Sequence, residues 1–116
     1  MKMVYIASPY TIGDMAQNVK RQIDAADELM NVGFCPIIPL LSHFQHMVHP
    51  RPYEDWMEID KEKLRRCDVV LRLPGESKGA DIEVALAHEL GIPVFKSVNW
   101  VKVFFSCESK IEAIKH

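Results

Sequence analysis

Val69-Val70-Leu71-Arg72-Leu73-Pro74-Gly75-Glu76-Ser77-Lys78-Gly79-Ala80-Asp81-Ile82-Glu83 holds the fold in miniature. Val69-Val70-Leu71 is the short apolar run of a buried strand, and the chain then opens into a helix pattern with Ile82, Leu86 and Leu90 four residues apart. A strand, a glycine-containing turn and a helix N-terminus make a site for anions, because the first turn of a helix leaves backbone N–H groups unpaired. Ser77, Lys78 and Gly79 suit a phosphate or carboxylate at that point. Glu83 is expected on the first helical turn, where the dipole favours its ionised form. An ionised carboxylate beside an anion pocket suggests glycosyl chemistry on a nucleotide-like ligand.

Upstream of this stretch, Tyr53 to Arg66 has a helix pattern, with Trp56, Ile59, Lys63 and Leu64 spaced by three or four. Its acids Glu54, Asp55, Glu58 and Asp60 come early and its bases Lys61, Lys63, Arg65 and Arg66 late, the order the helix dipole favours. Before it, Leu40 to Pro52 shows no convincing periodicity and reads as a long loop holding His43, His46 and His49. Loops of that length in compact domains are usually functional. Phe34-Cys35-Pro36-Ile37-Ile38-Pro39 reads as a strand whose prolines put it at a sheet edge.

At the start of the chain, Met3-Val4-Tyr5-Ile6-Ala7 is a strand stopped by Ser8-Pro9-Tyr10. Thr11 to Gly13 form a turn, Asp14 caps a helix running to about Val32, and Gly33 closes it. Ala16, Val19, Ile23, Ala26 and Met30 form its apolar stripe. Downstream, Gly91-Ile92-Pro93 leads into a strand at Val94-Phe95. In the tail from Val98 to His116, Val101-Lys102-Val103-Phe104-Phe105 reads as a strand or as part of a helix, and Ser109 to Lys115 as a final short helix.

Strands alternating with helices imply an α/β fold: a parallel sheet of four to five strands, covered on both faces in three layers. In such sheets ligands bind beyond the carboxyl ends of the strands. Ser8, Tyr10, the histidine-bearing segment, Ser77 and Glu83 all map to that edge. The 116 residues suit one domain spanning 1–116. Fourteen basic against sixteen acidic side chains give a net charge of −2, which leaves no footprint for duplex nucleic acid or an anionic membrane. The opening MKMVYIASPY has too short an apolar run for a signal peptide, so a cytoplasmic location is expected. Cys35, Cys67 and Cys107 are odd in number and widely spaced, which predicts free thiols.

Several of these pieces come in a familiar order. Tyr5-Ile6-Ala7-Ser8-Pro9-Tyr10, Gly33 before a proline-bearing strand, Trp56…Asp60…Leu64…Cys67-Asp68, Ser77-x-Gly79-x-x-x-Glu83 and Gly91-Ile92-Pro93-Val94 resemble the nucleoside 2-deoxyribosyltransferase superfamily, including the deoxynucleoside 5′-monophosphate N-glycosidases. The resemblance implies a flavodoxin-like domain, usually oligomeric, that needs no cofactor. It also implies a helix-borne Glu that attacks C1′ of a 2-deoxyribosyl group and releases the base. By position Glu83 would be that nucleophile, and Asp60 the second carboxylate, contacting sugar hydroxyls or base. Tyr5 or Tyr10 would lie near the nucleophile or the sugar, and Ser8 near the 5′ end. Ser77 stands where the monophosphate N-glycosidases have a phosphate-contacting serine, with Gly79 two residues on. The enzymes acting on free nucleosides place an Asp at the Ser77 position. Asp81 replaces a second Gly, and Thr11-Ile12-Gly13 lacks the basic residue of the family's phosphate loop.

The expected partner is a small-molecule nucleoside or nucleotide, and the expected state a homo-oligomer, a dimer or larger. The histidines at 43, 46 and 49 have a metal-like spacing, but no Cys or helix-borne Glu stands nearby as in zinc signatures. The better reading places His43 or His49 against the ligand's base, with Phe44, Tyr53 and Trp56 able to stack on it. Two rival readings are a catalytically silent nucleotide-binding module and an interaction protein that oligomerises through an exposed Val101–Phe105 segment.

Overall fold

A computed structural model describes residues 1–115; His116, the last residue of the tail, lies outside them. The element order is β1 (Met3–Ala7), α1 (Met15–Asn31), β2 (Cys35–Ile37), a single 3₁₀ turn (Pro39–Leu41), α2 (Ser42–Val48), α3 (Tyr53–Arg65), β3 (Val69–Arg72), α4 (Lys78–Glu89), β4 (Val94–Phe95) and α5 (Val98–Lys115). The strands form one parallel sheet in the order β2-β1-β3-β4, with Val4 opposite Val69 and Met3 opposite Cys35. Among the described residues four strands therefore stand where four to five were expected, and the proline-bearing β2 is an edge strand. The order reverses direction between β1 and β3, so the loops leaving those strands diverge and open a crevice.

Pleating sends alternate residues to opposite faces. Val4 and Ile6 of β1, with Val69 and Leu71 of β3, pack against α1 and α5 through Ala25, Ala26, Leu29 and Val101. Tyr5, Ala7 and Val70 point the other way, toward Leu64 of α3 and Ala80 and Ala87 of α4. Both central strands are thus buried on two sides, as their unbroken apolar runs predict.

The helix ends match their signals. Asp14 caps α1 by accepting from Gln17 N at 3.0 Å. At the other end Gly33 takes φ +90°, and the N–H groups of Gly33 and Phe34 close on Met30 O and Leu29 O. The apolar stripe of α1 is shifted, however. Ile23 and Met30 are exposed, and the buried face is Asn18, Val19, Gln22, Ala25, Ala26 and Leu29. Two polar side chains occupy core positions because each satisfies backbone groups there. Asn18 Nδ2 donates to Tyr10 O and Ile12 O, and Gln22 Nε2 donates to Ile6 O, all at 2.9 Å.

Two further expectations are corrected. The segment from 40 to 52 is mostly helical, a 3₁₀ turn followed by α2, although no residue of α2 is buried. From Val98 to Lys115 the tail is one continuous helix (α5), and its Val101-Phe105 segment is divided: Val101, Phe104 and Phe105 pack on the core, while Lys102 and Val103 are exposed. Val101 is fully buried, while Phe104 and Phe105 pack their rings 5.1 Å from Phe95 and 5.4 Å from Phe34. Among the described residues no helix is long and apolar enough to cross a membrane. All three cysteines are free.

Candidate active site

A cavity of about 650 Å³ lies over the crevice between β1 and β3. Its walls come from the loop after β1, from α2 and α3, and from the turn and first half of α4. Ser8, Tyr10, His43, Asp60, Ser77, Gly79 and Glu83 all line it, so the structure brings together residues that the sequence spreads over 76 positions. Tyr5 does not line it; its ring is wholly buried, and it reaches the site only through Glu83.

Glu83 is a correction in one respect. Since α4 begins at Lys78, Glu83 sits in the second turn rather than the first, and it is 7% exposed. Burial, not the helix dipole, dominates its ionisation. Desolvation pushes its carboxyl up to about 7, the charge of Asp60 adds to the rise, and the Tyr5 hydrogen bond and Arg72 oppose it. The Tyr5 hydroxyl donates to Glu83 Oε2. Burial and the neighbouring Glu83 and Asp60 charges raise the Tyr5 phenol far above its ordinary value, so it remains a donor at any working pH. Glu83 is thereby held in place from the core side.

Asp60, on α3, faces the same cavity. Burial lifts its carboxyl to about 6 against the opposing charge of Lys63. Its Oδ1 is buried without a hydrogen-bond partner among the described residues, an acceptor left for whatever occupies the cavity. Two carboxylates with raised affinities for protons, in one cleft, are the arrangement expected where acid–base or nucleophilic chemistry occurs.

Ser77 does act as the N-cap of α4, its Oγ accepting from Ala80 N at 3.1 Å, and it lines the cavity as well. Gly79 packs closely under α3: a Cβ there would lie 3.3 Å from the Tyr53 hydroxyl, a tight contact, and 3.6 Å from Met57 Cε, an ordinary one. Gly75, at φ +119°, lets the turn after β3 close on the loop after β1, where a Cβ would meet Pro9 Cγ at 2.7 Å. Arg72, the one charge in its strand, donates to Gly75 O at 2.9 Å and pairs with Asp81 at 3.2 Å. Asp81 is spent on that pair and does not line the cavity.

The upper wall is aromatic and histidine-rich. Tyr10 and His43 are hydrogen-bonded across the mouth. His46 Nδ1 accepts from Trp56 Nε1 at 2.9 Å and from Arg51 N at 3.2 Å, tying α2 to α3. His49 caps the end of α2 and Phe44 points outward, so neither lines the cavity, whereas Tyr53 and Trp56 do. Among the described residues no group of three or more His, Cys, Asp or Glu is placed to hold a metal ion. Sequence reasoning missed Asn18 and Gln22, which hold the loop after β1 from below, and the cavity residues Met57 and Leu40. The available signal was a pair of amides at core-facing spacing with Val19, Ala26 and Leu29.

Residues 2–96 match the protein family described as "Domain of unknown function (DUF4406)". The chain belongs to that family. No curated protein matches this DUF4406 chain in sequence. Among solved structures it is similar to the 2-deoxyribosyltransferase of the psychrotolerant bacterium Bacillus psychrosaccharolyticus, at 20% identity and a TM-score of 0.59. The match covers 79% of this chain and 69% of that one. The DUF4406 chain therefore has the fold that its resemblance to the deoxyribosyltransferase superfamily implies.

Proposed function

We propose that the protein cleaves or transfers at the N-glycosidic bond of a ribo- or 2-deoxyribonucleoside or its 5′-monophosphate, with Glu83 as nucleophile. The observation that carries this reading is the buried Glu83 carboxylate, gripped by Tyr5 and facing Asp60 across a nucleoside-sized cavity. The shared fold with an enzyme named as a 2-deoxyribosyltransferase supports it.

Tyr5 holds Oε2 and leaves Oε1 to attack C1′. As the Glu83 oxygen bonds to C1′, the C1′–N bond breaks, and the base leaves with that electron pair. The positive charge that develops on the sugar is stabilised by the same carboxylate. Asp60 accepts hydrogen bonds through its unpartnered Oδ1 from a sugar hydroxyl or the base, which orients the ring for attack. Water or a second base then attacks C1′ and frees Glu83, giving hydrolysis or transfer. Trp56 and Tyr53 supply stacking surface for the base. Ser8 and Ser77, which also line the cavity, are assigned to the 5′ group, with Lys78 beside Ser77 as a cation for a phosphate.

Two features favour the silent-module reading, Asp81 and the lack of a basic residue in Thr11-Ile12-Gly13. Asp81 pairs with Arg72 and does not line the cavity, whereas Thr11 and Ile12 line it without a charge.

The test is base release, followed by chromatography, from ribo- and deoxyribonucleosides and their 5′-monophosphates, with and without a second free base. Wild type and Glu83→Ala run side by side. Release that vanishes in Glu83→Ala is expected, and a new nucleoside with the added base marks a transferase. No release from any of these substrates by folded wild type refutes the proposal.

A further inference from the structure

The amide of Gln22 sits beneath the cavity, 1% exposed, and makes three hydrogen bonds to three different segments. Its Oε1 accepts from Leu40 N at 3.1 Å, in the 3₁₀ turn that forms part of the cavity wall. Its Nε2 donates to Ile6 O at 2.9 Å, on β1, and to Ser8 Oγ at 2.8 Å, in the loop that follows. The orientation of the amide is fixed twice over. A backbone N–H can only donate and a backbone C=O can only accept, so oxygen must face Leu40 and nitrogen must face Ile6.

The consequence falls on Ser8. Both Nε2 hydrogens are committed, one of them to Ser8 Oγ, so that hydroxyl is an acceptor toward Gln22. Its own hydrogen has no acceptor among the described residues, although Ser8 is 7% exposed and lines the cavity. A buried donor without a partner is costly and calls for an acceptor from the ligand side.

We propose that Gln22 is a positioning residue that makes the Ser8 hydroxyl a dedicated hydrogen-bond donor to an acceptor oxygen on the sugar's 5′ carbon, hydroxyl or phosphate ester. This selects substrates that carry that oxygen. The inference rests on the glycosyl reading above and adds to it a residue that never touches the substrate.

The test is a double-mutant cycle of Ser8→Ala, Gln22→Met and both together. It is read as kcat/KM on thymidine and 2′-deoxyadenosine, their 5′-monophosphates, and their 5′-deoxy analogues. On substrates with the 5′ oxygen each single change loses about tenfold, the scale of one hydrogen bond, and the double change loses no more than the worse single one. On the 5′-deoxy analogues each loses less than about twofold. Additive losses, or equal losses on the 5′-deoxy analogues, overturn the inference while leaving the glycosyl reading standing. Thermal melting reports whether Gln22→Met folds. If it does not, Ser8→Ala alone decides by the same substrate contrast, and a loss independent of the 5′ oxygen overturns the proposal. No turnover of any of these substrates by wild type overturns the glycosyl reading and this inference with it.

Discussion

Glu83→Gln is expected to inactivate the protein and stabilise it at the same time. The amide keeps an oxygen for the Tyr5 hydroxyl and nearly the same shape, while removing the charge that burial disfavours. Glu83 has a native-state pKa raised from the ordinary 4.5 to about 7. The native protein therefore prefers the neutral acid. That preference adds fully to stability below about pH 4.5, fades as the pH rises, and is gone above about 7. A rise of that size, at about 1.4 kcal/mol per pH unit, sets a ceiling of about 3 kcal/mol on the alkaline penalty. In a chain of this length about 1–3 kcal/mol moves Tm by about 4–12 °C. The assay is thermal melting of wild type and Glu83→Gln from pH 4.5 to 8.5. The two melting temperatures should lie close together at the acid end and diverge toward pH 7, with the variant higher, then stay apart. Asp60 titrates in both proteins and largely cancels in the difference. Curves that run parallel across this range would refute the claim that Glu83 is a buried, desolvated carboxylate.

On the proposed mechanism the same ionisation sets the pH dependence of turnover. A nucleophile must be charged, so kcat/KM is expected to rise as the pH passes through about 7, and a profile flat from pH 5 to 8 would contradict the role given to Glu83. The Tyr5 hydrogen bond favours ionised Glu83, so Tyr5→Phe should move that rise to higher pH, as read from the same profile. Gly75→Ala forces a β-carbon onto the Pro9 ring from an unfavourable φ and should cost about 2 kcal/mol or more, measured by urea unfolding; an unchanged midpoint would show that the two loops do not close as described.

What the sequence made legible was local and punctuated. Asp14 and Gly33 bracket α1, Pro36 puts β2 at the edge, and Ser77 starts α4, each because one residue type satisfies a backbone need at one place. The apolar runs of β1 and β3 were equally plain, since both faces of each strand are buried. The errors arose where a helix faces something other than apolar core. In α1 the amides of Asn18 and Gln22 take inward positions, so the apolar count pointed to a face rotated from the buried one, sharing Val19 and Ala26 with it. In α4 the inward residues are Ala80, Glu83 and Ala87, while Ile82 and Leu90, the more conspicuous apolar pair, stay exposed. Helix α2 buries nothing and turns Ser42, His43 and His46 to the cavity, leaving no period to detect. The tail was ambiguous because Phe104 and Phe105 are neighbours that both reach the core, a pattern shared by buried strands.

For the site, residue types and order led to Glu83, Asp60, Ser8, Tyr10, His43, Ser77 and Gly79, all of which meet in one cavity. The raised proton affinity of Glu83 was out of reach, because it depends on how deeply the second turn of α4 sinks between Tyr5 and Asp60. So was the neutralisation of Asp81, which needs Arg72 to project from a strand nine positions earlier.

In the proposed mechanism Glu83 forms a bond to the sugar. This step is tested most directly by intact-mass analysis of the protein, quenched during turnover of a deoxynucleoside or 5′-monophosphate that it cleaves, followed by peptide mapping. A transient mass increase of one 2-deoxyribosyl group, or its 5′-phosphate, is expected on the peptide containing Glu83 and not in Glu83→Ala. Base release that proceeds without any such adduct, and persists in Glu83→Ala, would contradict that mechanism.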